Sequence, residues 1–85
     1  MYSLTLRRKA SKGLDKLSGD AFQSVLAAIK SLIVQPRPRG VEKLKTSGLL
    51  RIRQGDSRII YNVDDAQQAV VILRVGHRKE IYREF

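Results

Sequence analysis

The chain has 85 residues, 42% of them hydrophobic, with no cysteine and a formal net charge of +9, so it is expected to form one small basic domain over residues 1–85, without disulfides and with no room for a second domain. A single histidine and acidic residues in no ligand spacing predict no metal site. No apolar run approaches the roughly 18 residues of a membrane span, and the short stretch before Arg7, Arg8 and Lys9 is no secretory signal, so no membrane association and a cytoplasmic protein are expected.

Tyr2, Leu4 and Leu6 alternate with Ser3 and Thr5, which predicts a half-buried strand over residues 2–7. Ala10, Leu14 and Leu17 then fall at helical spacing over 8–17, with Gly13 weakening the helix and Ser18-Gly19 ending it. A second helix is expected with Asp20 as its cap and Gln23 three residues on. Phe22, Val25, Leu26, Ile29, Leu32 and Ile33 form its apolar stripe. It must stop before Pro36, and Pro36-Arg37-Pro38-Arg39-Gly40 reads as a stiff basic connector.

Three strands are predicted beyond it, at 48–53, 57–63 and 69–75. They are separated by Gln54-Gly55-Asp56 and by Asp64-Asp65-Ala66-Gln67-Gln68, links short enough to imply antiparallel hairpins. Ala69-Val70-Val71-Ile72-Leu73 is apolar on both faces, as a strand covered on both sides would be. Gly76 to Phe85 looks too polar for core and is expected to be a short tail or helical turn. The order is therefore β-α-α-β-β-β, an α+β domain with a two-helix hairpin packed on a small, mainly antiparallel sheet.

Charge is concentrated. Residues 30–58 carry Lys30, Arg37, Arg39, Lys43, Lys45, Arg51, Arg53 and Arg58 against Glu42 and Asp56, a net of +6, while the rest of the chain supplies +3. Such a field attracts nucleic acid, anionic lipid or an acidic protein, and it also fits a merely solvated surface. Strand alternation puts Leu50 and Ile52 on one face and Arg51 and Arg53 on the other. A tight turn would set Arg58 across from Arg53. Like charges so close destabilise a sheet, so the cluster points to an anionic ligand, the other reading being a charged edge that resists aggregation. None of these arginines is assigned to the core. In the tail, a helical turn would bring Arg78 and Tyr82 to one face, near His77. Dinucleotide, triphosphate, serine-hydrolase and zinc-protease motifs are absent, so no cofactor is expected.

Three stretches taken together resemble the RelE/ParE toxin superfamily, and most closely its RelE branch of messenger-RNA interferases from type II toxin–antitoxin systems. They are Pro36-Arg37-Pro38 leading to Lys43-Leu44-Lys45, the run from Leu50 to Tyr61 (L-R-I-R-Q-G-D-S-R-I-I-Y), and Val75-Gly76-His77-Arg78-Lys79-Glu80-Ile81-Tyr82. The resemblance implies an endoribonuclease that enters the ribosomal A site and cuts messenger RNA through the RNA's own 2′-hydroxyl, without metal. It puts Arg51, Arg53 and Arg58 at the phosphate-contacting and catalytic positions, Arg78 at the leaving group, and Tyr82 where it stacks on or activates the nucleotide. His77 is a candidate acid or base, and Arg37, Arg39, Lys43 and Lys45 are candidate RNA contacts.

Some members of that branch have lysine at the positions of Arg51 and Arg53. Arginine does not give up its proton, which moves the base toward Tyr82 or His77. Ser57 stands where relatives often have an aromatic residue. Expected partners are an acidic antitoxin, messenger RNA and the ribosome. The alternatives are a ParE-like inhibitor of DNA gyrase on the same fold and a non-catalytic nucleic-acid-binding module.

Overall fold

A computed structural model describes residues 1–81, with Arg78 and Glu80 described by their backbone. The chain runs β1 (Ser3–Leu6), α1 (Arg8–Asp15), α2 (Gly19–Ser31), β2 (Glu42–Lys43), β3 (Leu50–Gln54), β4 (Ser57–Asp64), β5 (Ala69–His77) and α3 (Arg78–Ile81). One five-stranded sheet has the order β1-β5-β4-β3-β2. Every pairing is antiparallel except β1 with β5, which is parallel. The predicted α+β architecture is the observed one.

Both long helices lie on one sheet face. Ala10, Leu14, Val25, Ile29 and Leu32 meet Ile52, Ile59, Tyr61, Val70, Ile72 and Val75 there to form the core. Helix α2 starts at Gly19, one residue before the expected cap, with Ser18 in extended geometry at the N-cap; Gly19 itself takes φ +54°, a left-handed value open to glycine. Asp20 instead lies inside the first turn, where its charge suits the positive end of the helix. The helix ends at Ser31 rather than carrying its stripe onward. Leu32, Ile33 and Val34 follow in a tightened turn, each amide bonding three residues back, which still delivers Leu32 to the core.

Glycine 13, which lowers the helical propensity of α1, has a packing reason. A Cβ built there would collide with the Val75 carbonyl oxygen, so the helix backbone rests directly on β5.

Two further features depart from the sequence expectation. Strand β2 pairs Glu42 with Arg51 and Lys43 with Leu50, and at two residues it is too short to show any periodicity. The C-terminal segment, expected to be too polar for core, is partly internal: β5 continues through His77, Gly76 is buried, and Ile81 of α3, which packs on β4 and β5, is 4% exposed. Ile60, on the sheet face turned away from the helix core, is fully buried as well. The second face of the sheet is therefore not a simple solvated one.

The connector is fastened at its start. The Tyr61 hydroxyl donates to the Pro36 carbonyl at 2.7 Å, and burial pushes that phenol up to about 12. Arg37 forms a bidentate pair with Asp65 at 3.0 Å for both bonds, and the Tyr2 hydroxyl donates to the same carboxylate at 2.7 Å. These two donors, Arg37 before Tyr2, hold the Asp65 carboxyl below its usual range.

Candidate active site

Residues directly opposite each other on neighbouring strands share a sheet face. Applied to the observed register, this gives two adjacent rows on the face away from the helices. One row is Glu42, Arg51, Ile60 and Arg74, and the other is Arg53, Arg58 and Gly76. The rows exist because β3 and β4 are joined by the two residues Gly55 and Asp56, with Gly55 at φ +60° as such a tight hairpin needs at its first position. A turn one residue longer would have shifted the register and separated the arginines.

Arg58 is the fixed member. Although expected on the surface, it is only 6% exposed; the residue facing it on β5 is Gly76, which has no side chain to compete for the space. Its Nη1 donates to the carbonyls of Gly55 at 3.1 Å and Ser57 at 3.0 Å. Its Nε is buried with no hydrogen-bond acceptor among the described residues. A guanidinium tethered through Nη1 to two turn carbonyls is a cation of fixed orientation opposite Arg53.

Arg51 and Arg53 are held by one carboxylate. Arg51 Nη2 donates to Glu42 Oε2 at 2.7 Å, and Arg53 Nε lies 3.3 Å from Glu42 Oε1. The hydrogen bond from Arg51 lowers the Glu42 pKa most; burial, next in size, opposes it, and the charges of Arg51, Arg53 and Arg58 add to the lowering. Glu42 therefore stays ionised at neutral pH and orients two cations. Sequence reasoning missed it. The available signal was the Thr46-Ser47-Gly48 turn flanked by Val41-Glu42-Lys43-Leu44 and Leu49-Leu50-Arg51, a short hairpin whose folding back brings Glu42 to Arg51.

The other anticipated residues divide. Arg39 lines a cleft of about 370 Å³ with Arg53 and Gln54 at the β3 edge, closed by Ala28 and Ser31 of α2. Lys43 and Lys45 are exposed near β2, but Lys43, paired with Leu50, lies on the face opposite to Glu42. Arg37 is not brought to the cluster: its partner Asp65 follows the far end of β4, and the seven-residue steps from Ser57 to Asp64 make that end roughly 23 Å away.

His77 ends β5 paired with Ser57, which places it on the face opposite to Arg58. Its Nδ1 accepts the Lys79 amide at 3.3 Å, so in the neutral ring the proton belongs on Nε2. The backbone of Arg78 opens α3 directly after it, and Tyr82 lies outside the described residues. Among the described residues no three histidine, aspartate or glutamate side chains gather as a metal site would need, and no helix is long and apolar enough to cross a membrane.

Comparison with known proteins gives a consistent set of likenesses. Residues 4–82 match the family model of the ParE toxin of type II toxin–antitoxin systems, parDE. Toxin RelG of Mycobacterium tuberculosis is 33% identical over 84 residues, covering 96% of this chain and 97% of that protein. Among solved structures, the toxin–antitoxin complex RelBE2 of M. tuberculosis superposes with a TM-score of 0.78 at 31% identity, over 91% of this chain and 98% of that one. The archaeal RelE–RelB complex of Pyrococcus horikoshii gives 0.79 at 30% identity, over 91% and 94%. The isolated Escherichia coli RelE toxin, 23% identical over 99% and 94% of the two chains, shares the fold with a TM-score of 0.78.

Proposed function

The chain belongs to the ParE toxin family of type II toxin–antitoxin systems, within the RelE/ParE superfamily, and from that premise we propose that this toxin is a ribosome-dependent endoribonuclease that cuts messenger RNA in the A site. The observation that carries the reading is the pair of rows holding Arg51, Arg53 and Arg58 on one sheet face with Glu42 between the first two.

In the proposed reaction the 2′-oxygen attacks the adjacent phosphorus, the bond to the 5′-oxygen breaks, and the products are a 2′,3′-cyclic phosphate and a 5′-hydroxyl. Negative charge grows on the phosphoryl oxygens, and preorganised cations stabilise it. Arg58, tethered to the turn carbonyls, supplies an immobile donor set, and Arg51 and Arg53 flank it. Arg78 serves the leaving oxygen. The base is Tyr82, the role the family resemblance gives it, with His77 second because of its face. Glu42 positions Arg51 and Arg53 in this scheme, since its depressed pKa makes it a weak proton acceptor. The site supplies cations and needs no metal for this chemistry. Arg39, Lys43 and Lys45 guide the RNA, and Arg37, occupied by Asp65, contributes least.

The known complexes of similar toxins with antitoxins support a cognate antitoxin for this chain as well, and the +9 charge makes an acidic one the complementary partner. The test of the chemistry is a messenger carrying a single 2′-deoxynucleotide at the cleaved position. Cleavage should stop there, while the unmodified messenger should yield a cyclic phosphate end. Equal cutting of the deoxy substrate would overturn the reading.

A further inference from the structure

The proposed chemistry uses one end of one sheet face, yet the chain carries a second basic segment that the fold delivers beside it. Residues 7–16 hold Arg7, Arg8, Lys9, Lys12 and Lys16 against Asp15 alone. Helix α1 lies on the C-terminal half of β5 through the close approach of Gly13 to the Val75 carbonyl. In that position Lys9, Lys12 and Lys16, all exposed, line an open pocket of about 210 Å³ together with Arg74, Gly76 and Ile81. Their spacing of three and four residues keeps them on one side of the helix.

Gly76 joins this pocket to the arginine rows. It lines the pocket and is also the residue paired with Arg58. Adjacent strands are about 4.8 Å apart, so one strand separation lies between the Arg58 backbone and the pocket wall. No side chain at position 76 stands in between. Basic side chains thus stand on both sides of the C-terminal end of β5, the arginine rows on the sheet and the lysines of α1 around the pocket that Gly76 also lines. A strand of RNA carries one negative charge per nucleotide, and lysines are mobile point charges suited to successive phosphates rather than to one forked carboxylate.

We propose that the face of α1 formed by Lys9, Lys12 and Lys16, with Arg74 lining the same pocket, is a second phosphate site that holds the RNA backbone a short way along the strand from the bond being cut. The proposal rests on the endoribonuclease reading, and its test separates the two. The full chain and its Lys12→Gln/Lys16→Gln variant are titrated with fluorescent RNA over a range of salt. One probe is a dinucleotide blocked by a 2′-deoxy group, and the other is a longer oligonucleotide with the same centre. Cleavage of ribosome-bound messenger by the wild type is measured in parallel.

The variant should bind the long RNA about tenfold more weakly, and the slope of its affinity against salt should flatten by about 1.4, two contacts at about 0.7 each for single strands. Its affinity for the dinucleotide should not change. Lys12→Arg/Lys16→Arg should restore both the affinity and the slope. A wild type that cleaves while the glutamine variant binds long RNA with unchanged affinity and slope would overturn the second site and leave the cleavage reading standing. A wild type that fails to cleave would overturn the cleavage reading and the site that rests on it. Loss of poly-glutamate binding with RNA binding intact would assign the face to an acidic protein and overturn the proposal.

Discussion

Arg53 and Arg58 stand directly opposite each other across the β3–β4 hairpin. Two like charges in that relation cost a sheet some tenths of a kcal/mol or more, and among the described residues the Glu42 carboxylate reaches Arg53 and Arg51 while Arg58 is held by backbone carbonyls. The arrangement opposes stability unless an anion joins it. Arg53→Ala should therefore unfold within about 0.5 kcal/mol of the wild type, since its ion pair is exposed and weak, while cleavage falls by about 10² or more. Urea unfolding and a cleavage time course on the same preparations check both halves. Parallel loss of stability and activity would make Arg53 a structural residue.

Arg58 calls for a more conservative change. Arg58→Lys keeps the charge but cannot hold two turn carbonyls while offering further planar donors. Cleavage should drop at least about tenfold with the antitoxin complex still forming, as read by rates alongside size-exclusion chromatography.

Glu42 offers a test through pH. Its carboxyl is held below the ordinary value of 4.5 in the folded chain, chiefly by Arg51, so the folded state binds fewer protons there than the unfolded state. The resulting stability is fully present above that value and is lost as pH falls through the folded pKa. The difference in melting temperature between the wild type and Glu42→Gln should be present at neutral pH and shrink as the solution is acidified below about pH 4.5. A difference independent of pH would mean that Glu42 acts through packing rather than charge.

Much of this was readable beforehand, and the gaps have physical causes. The arginine pair followed from alternation plus a tight turn, because register is fixed once both are known. Glu42 was hidden because a two-residue strand has no period, and only pairing across the Thr46-Ser47-Gly48 turn brings it to Arg51. Arg58 is buried and faces Gly76, which is 18 residues away in the chain, and no local pattern reports such a pairing. Ile81 sits in a polar segment and is internal only because α3 folds back on β4 and β5.

Gly13 separates local propensity from packing. Alanine is the better helix former by about 1 kcal/mol, but its Cβ would collide with the Val75 carbonyl, and backbone on both sides cannot yield without moving α1. Gly13→Ala should therefore destabilise the fold by about 2 kcal/mol or more in chemical denaturation. A stabilised variant would contradict the close packing of α1 on β5.

Tyr61 reports on the connector. Tyr61→Phe leaves the buried Pro36 carbonyl without its donor and should cost about 1–2 kcal/mol. Because burial raises the folded phenol to about 12 from 10.0, its contribution is intact below pH 10 and fades as pH rises toward 12. The phenylalanine variant should lack that part of the alkaline loss, as pH-dependent unfolding curves would show.

The central claim, that the arginine rows cut messenger RNA on the ribosome, is tested most directly by mapping new 5′ ends. The purified chain is incubated with a defined messenger, free and on stalled ribosomes. Cuts confined to the A-site codon of ribosome-bound messenger, and absent with Arg58→Ala, are predicted. A folded wild type that leaves every messenger intact would contradict the account and turn attention to gyrase or to binding without cleavage.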